Sequence, residues 1–167
     1  MIRTAVPDDA EAIAAIYAHH VLHGTASFDT VPPDSIFWRT KIADIGARGW
    51  PFLVAEEDGA VLGYAYATQF RDRPAYAETC ENSIYLAPDH SGRGIGSALM
   101  AALLPAAAEA GFRQMIAVVG GAEPASVALH QKFGFVVAGR MRDVGRKFGR
   151  LLDTVYLQRA LDRETMA

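Results

Sequence analysis

After Pro7, apolar residues recur at helical spacing, with Ala10, Ile13, Ala14, Ile16 and Tyr17 falling on one face behind the acidic pair Asp8 and Asp9. Acidic residues in a first turn followed by a 3.6-residue apolar period predict a helix from residue 8 to about 20. Ile36, Trp38 and Ile42 predict a second helix from about 34 to 48, separated from the first by a Gly24-to-Phe28 loop and the Pro32-Pro33 break. The pattern then changes. Residues 52–56 and 61–70 are β-prone runs on either side of Glu57-Asp58-Gly59-Ala60, and Asp-Gly between such runs predicts an antiparallel hairpin. A third run, 78–86, stops at Ala87-Pro88, since proline donates no ladder hydrogen bond. Small and apolar residues return to helical spacing from 94 to 110, despite Pro105, and Gly111 ends the run. A strand at 114–119, a helix at 125–133 and closing strands at 135–142 and 154–159 complete the chain. Strands and helices neither alternate strictly nor segregate, and no repeat or linker interrupts them, so the expectation is one α+β domain over residues 1–167.

Composition narrows the function more than the fold. The 167 residues are 51% hydrophobic and 21% charged, which suits one compact core. Sixteen basic against 19 acidic side chains give a formal net charge of -3 and no broad reason to bind a polyanion, so nucleic acid is not an expected partner. Cys80 is the only cysteine, which rules out an internal disulfide and a cysteine-rich metal site. No metal is expected. No apolar stretch has the length of a membrane span, and the first nine residues lack the apolar core of an export signal, which leads to an expectation of a cytoplasmic protein.

The most specific feature is Ser91-Gly92-Arg93-Gly94-Ile95-Gly96-Ser97, a turn between a predicted strand and a predicted helix. Backbone N–H groups there converge with the positive end of the helix dipole and suit a phosphate or pyrophosphate. Arg93 adds a candidate charged contact. Leu99 stands where a dinucleotide fingerprint would have its third glycine, and the Gly-Lys-Ser/Thr of a nucleoside-triphosphate loop is missing.

With its flanks, this turn resembles that of the GCN5-related N-acetyltransferase superfamily, and within it the phosphinothricin and methionine-sulfoximine acetyltransferases. The residues that carry the resemblance are Glu81-Asn82-Ser83-Ile84-Tyr85-Leu86, Arg93-Gly94-Ile95-Gly96-Ser97 and Ser126 to Phe135, with Gly145 to Arg150 and Asp153 forming a subgroup-like ending. The resemblance implies a mixed, mostly antiparallel central sheet flanked by helices. It also implies acetyl-CoA as co-substrate, with Ile84, Tyr85 and Leu86 along the pantetheine arm and Gly92, Arg93, Gly94, Ile95, Gly96 and Ser97 at the pyrophosphate. Two positions depart from the pattern. Ser91 replaces a long polar residue, and Glu123 replaces an asparagine; a carboxylate cannot donate the amide's hydrogen bond, so Glu123 is expected to help start the following helix.

An ammonium group must lose a proton before it attacks a thioester, which calls for a base beside the incoming amine. Glu81 matches the subgroup's catalytic glutamate, with Glu78 as the nearest substitute. The resemblance also points to the Leu86 N–H as donor to the developing oxyanion. It places His130 where many relatives have a tyrosine that protonates the leaving thiolate; a histidine packed between helix and sheet is the other reading. For the amine, Arg71 and Arg73 suit a carboxylate or phosphinate. Tyr76, Glu78, Lys147 and Phe148 join the substrate candidates, and Phe28 resembles the subgroup's aromatic substrate residue. These readings predict acetylation of a small amino-acid-like amine by direct attack, in an enzyme expected by analogy to be a homodimer. The alternatives are acetylation of a protein N-terminus or another amine, and a non-catalytic acyl-CoA sensor.

Overall fold

The computed structural model describes residues 1–161; residues 162–167, the end of the expected domain, lie outside the described residues. In chain order the elements are β1 (Ile2–Thr4), a 3-10 turn (Pro7–Asp9), α1 (Ala10–His23), α2 (Ser35–Ala47), β2 (Phe52–Glu57), β3 (Ala60–Gln69), a 3-10 turn (Pro74–Tyr76), β4 (Thr79–Leu86), α3 (Ile95–Glu109), β5 (Gln114–Gly120), α4 (Pro124–Lys132), β6 (Val136–Lys147) and β7 (Arg150–Ala160). Seven strands form one sheet in the order β1-β2-β3-β4-β5-β7-β6. Every neighbouring pair is antiparallel except β4 with β5.

Local chemistry accounts for the boundaries. Asp34 caps α2 by accepting from the Phe37 N–H at 2.9 Å. Pro105 lies on the exposed side of α3, where the carbonyl deprived of its helical partner meets water. Glu123 takes the capping role expected of it, accepting from the Ala125 and Ser126 N–H groups at 3.2 and 2.7 Å. β1 has three residues, too few to show a period, and is held by Arg3, which grips Asp9 with two 2.8 Å bonds and Glu56 with a third of 2.6 Å. The two last strands run well beyond their expected limits. Phe148 and Gly149 both have positive φ (50° and 71°), the conformation of a tight hairpin turn, and this joins β6 and β7 into one long ribbon.

Each face of the sheet has its own core. Leu99, Met100, Leu103 and Leu104 of α3 pack with Met115 and Leu157 on one side. Ile13 and Ile16 of α1 and Trp38, Ile42 and Ile45 of α2 pack on Phe52, Val54 and Tyr64 on the other. Each of these fully buried large side chains contributes roughly 1.5–3 kcal/mol, so the sheet is fixed from both faces and its central strands are held rigidly.

Candidate active site

The site begins where two central strands part. β4 and β5 pair in parallel only from Thr79–Gln114 to Asn82–Ala117, yet β4 continues to Leu86 and β5 to Gly120. On its other edge β4 stays paired with β3 to the end, Gly63 opposite Leu86. The Phe70 N–H donates to Thr79 C=O and the Ala87 N–H to Leu62 C=O. Antiparallel alternation then commits the backbone groups of Glu81, Ser83 and Tyr85 to β3 and turns those of Ile84 and Leu86 toward the open edge. With the Leu86 C=O met by His20, the Ile84 backbone and the Leu86 N–H remain turned to the gap, an edge suited to an extended, amide-bearing partner. The pantetheine arm is such a partner, so the residues present fit acetyl-CoA.

A cleft of about 110 Å³ fills this gap, and Glu81, Ile84, Tyr85, Gly120, Ser126 and His130 are among its lining. It brings together the expected base, part of the expected cofactor strand and the expected histidine. Burial pushes the Glu81 carboxyl above the ordinary glutamate range, against the opposing pull of Arg71 and Lys41. The Arg71 guanidinium stands 3.9 Å from Glu81 Oε2 and stacks on Phe70 at 4.1 Å.

His130 is 2% exposed and edge-on to Phe135. Its Nδ1 lies 2.7 Å from Ser126 O, which only accepts, so Nδ1 carries a proton; Nε2 lies 3.1 Å from the Asn82 side-chain amide, from which a neutral ring can only accept. Burial lowers its pKa and favours the neutral ring, while the Ser126 carbonyl works the other way.

The glycine turn sits at the same end of β4. Gly92 and Gly94 have φ of 78° and 81°, and Gly94 is the residue from which α3 starts. This conformation, strained for any other residue, lets the first N–H groups of a 15-residue helix face a ligand. Arg93 instead reaches Glu57 at 3.0 Å, while Lys132 of α4 places its ammonium 2.9 Å from Ser97 Oγ, beside the helix start.

The acceptor candidates divide. Phe28 is close to the cleft: its ring lies between Gly120 and Gly145, and an added Cβ would stand 3.1 Å from the ring at the first and 2.3 Å at the second. Lys147, nearly buried, donates to Ser27 C=O at 2.8 Å and ties this loop to β6. Tyr17 holds the same loop through Ser27 and Asp29 at 2.7 and 2.6 Å. Arg73 and Tyr76 are exposed in the β3–β4 connection, with Tyr76 edge-on to Phe70. Phe148 is exposed at the β6–β7 turn. Glu78 lies apart, 4.0 Å from Arg113.

Two neighbours of the site escape sequence reading. Lys41 of α2 stands 4.5 Å over the Tyr66 ring, on the sheet face that carries Glu81. His20 of α1 places Nε2 2.8 Å from Leu86 O. Nothing in the local pattern marks either; both are surface-type residues on helices whose docking brings them to β3 and β4.

A parted parallel pair, a glycine-led helix start and a half-buried carboxylate suit an acyltransferase that takes its acyl group from a nucleotide-linked thioester. The acetyltransferase (GNAT) domain family matches residues 2–156, and the chain belongs to that family. Its chemistry is the transfer of an acetyl group from acetyl-CoA to an amine. Among relatives, a phosphinothricin N-acetyltransferase of Alcaligenes faecalis is 50% identical over 162 residues, covering 96% of this chain and 82% of the relative. An L-methionine sulfoximine/L-methionine sulfone acetyltransferase of Salmonella typhimurium is 39% identical over 96% of this chain and 94% of its own. The crystal structure of a phosphinothricin acetyltransferase from Sinorhizobium meliloti in complex with acetyl-CoA superposes with a TM-score of 0.93 at 45% identity, covering 96% of this chain and 87% of the other. Among the described residues, no group of three or more His, Cys, Asp or Glu is placed to hold a metal, and no helix is long and apolar enough to cross a membrane.

Proposed function

We propose that this enzyme acetylates the primary amine of a small amino-acid-like substrate of the phosphinothricin, methionine sulfoximine or methionine sulfone type, by direct attack within a ternary complex. The observation that carries the proposal is that Glu81 lines the cleft where the strands part and holds its carboxylate beside Arg71. Acetyl-CoA supplies the activated acetyl thioester. Ile84 and Leu86 offer backbone groups to its arm, with Tyr85 between them, and Gly92 to Ser97 with the α3 N-terminus hold the pyrophosphate. Glu81 takes the proton from the incoming ammonium, directly or through water, and the Leu86 N–H steadies the charge developing on the thioester oxygen.

Arg71 binds the anionic group of the substrate and opposes the effect of burial on the Glu81 carboxyl. Arg73, Tyr76, Phe28, Lys147 and Phe148 enclose the substrate, with Glu78 in a peripheral role. Of the two roles open to His130, burial and contacts on both ring nitrogens support the packing one. A slowed single-turnover rate in a folded His130→Phe enzyme would reinstate it as the acid. In the same proposal residues 1–167 form one catalytic domain that works as a cytoplasmic homodimer, a state supported by the exposed apolar side chains of β6 and β7.

The decisive measurement is thiol release from acetyl-CoA over phosphinothricin, methionine sulfoximine, methionine sulfone, free amino acids and peptide amines. Release with the first three and little with peptides is expected, and a preference for peptide N-termini would sink the substrate assignment. Binding without release from any amine would leave the sensor reading. Glu81→Gln is expected to lower kcat by about 100-fold or more while acetyl-CoA affinity stays within a few-fold.

A further inference from the structure

Leu86 is the point at which β4 loses its β5 neighbour while remaining pressed against β3. A Cβ on Gly63 would stand 2.7 Å from Leu86 Cδ2 and 3.0 Å from Tyr85 O, so the strand end packs closely on β3 at this glycine. On its other edge the Leu86 carbonyl, which a continuous sheet would pair with β5, is met by the His20 imidazole at 2.8 Å. A carbonyl only accepts, so Nε2 carries the proton. His20 is itself fixed, its ring 5.2 Å from Tyr85 and 5.6 Å from His19, and burial lowers its pKa and favours the neutral ring. The site is part-buried, so without this donor the Leu86 carbonyl would have to turn toward water or another partner.

We propose that His20 is a positioning residue for acetyl transfer: by occupying the Leu86 carbonyl it takes the place of the missing strand, holds the gap open and keeps the Leu86 N–H aimed into it. The role rests on the assignment of that N–H as the oxyanion donor. An N–H fixed before the reaction stabilises charge that appears only in the transition state, so loss of His20 acts on the rate of the chemical step more than on binding.

Two variants test this. His20→Phe keeps a ring against Tyr85 without a donor, and His20→Gln returns a side-chain N–H to the same carbonyl. Single-turnover acetylation of L-methionine sulfone and the 15N–1H resonance of the Leu86 amide upon addition of acetyl-CoA are measured on each, with thermal unfolding to establish that both fold. His20→Phe is expected to slow the step about 10- to 100-fold with KM for acetyl-CoA within about 3-fold, and His20→Gln to recover to within about 3-fold of the unmodified enzyme. The Leu86 resonance is expected to move with acetyl-CoA in the unmodified enzyme and His20→Gln and to move less in His20→Phe. An unchanged rate in folded His20→Phe, or no recovery in His20→Gln, overturns the role of His20 alone. A Leu86 resonance unmoved in the unmodified enzyme overturns the donor assignment and the role of His20 with it. Should methionine sulfone not react, the substrate assignment fails separately and the amide resonance decides, since it needs no amine: equal movement in His20→Phe overturns the proposal.

Discussion

At the scale of single residues, Glu81, the proposed base, stands between opposing influences. Burial raises its pKa, while Arg71 and then Lys41 lower it. The base form is the carboxylate, so activity falls as pH drops through the raised pKa. Arg71→Gln removes the larger of the two opposing cations and is expected to shift the acid limb of the kcat/KM profile to higher pH, apart from any loss in substrate affinity. An acid limb that stays in place would remove Arg71 from the tuning. A carboxyl with a raised folded-state pKa contributes stability below its unfolded value and loses it as pH rises through the folded value. Glu81→Gln is therefore expected to raise Tm near pH 8 more than near pH 4, as calorimetry at both pH values would show. Motif matching alone made Glu81 legible, since a lone glutamate in a strand carries no chemical signature. Lys41 stayed hidden because its effect on Glu81 crosses from a helix to a sheet.

At the scale of elements, the turns and caps follow from residue types: Gly92 and Gly94 before α3, Asp34 and Glu123 at helix starts, and Asp58-Gly59 between β2 and β3. The long β6–β7 ribbon was less legible. Its tight turn is made by Phe148-Gly149, and Phe148 is not a residue that announces positive φ. Its glycines have uses that lie elsewhere in the chain, since Gly145 makes room for Phe28, 117 residues earlier. Gly145→Ala puts a methyl against that ring, with three contacts between 2.3 and 2.9 Å, and is expected to cost about 1–3 kcal/mol in denaturant unfolding. It should also displace the 25–29 loop and raise KM for the amine. A variant of normal stability and KM would place the Phe28 ring elsewhere.

At the scale of the whole molecule, Val136, Val137, Met141, Val144, Phe148 and Leu151 are all exposed along the β6–β7 ribbon, and β6 is one edge of the sheet. A 12-residue edge strand with exposed apolar side chains suits pairing with a second copy of the chain, the state proposed above. Light scattering is expected to give the mass of two chains, and Met141→Asp with Val144→Asp to give the mass of one; a monomeric unmodified protein would refute the homodimer. By itself the sequence determined the order and type of nearly every element, the glycine turn before α3 and the family to which the chain belongs, because periodicity, caps, glycines and contiguous motifs act over a few residues. The tertiary structure decided that β4 and β5 part after Asn82, that Ile84 and Leu86 face the gap, and that His20 and Lys41 stand beside Leu86 and Glu81. Those relations join residues 35 to 66 positions apart, and they arise only when helices settle on a sheet whose register no local pattern encodes.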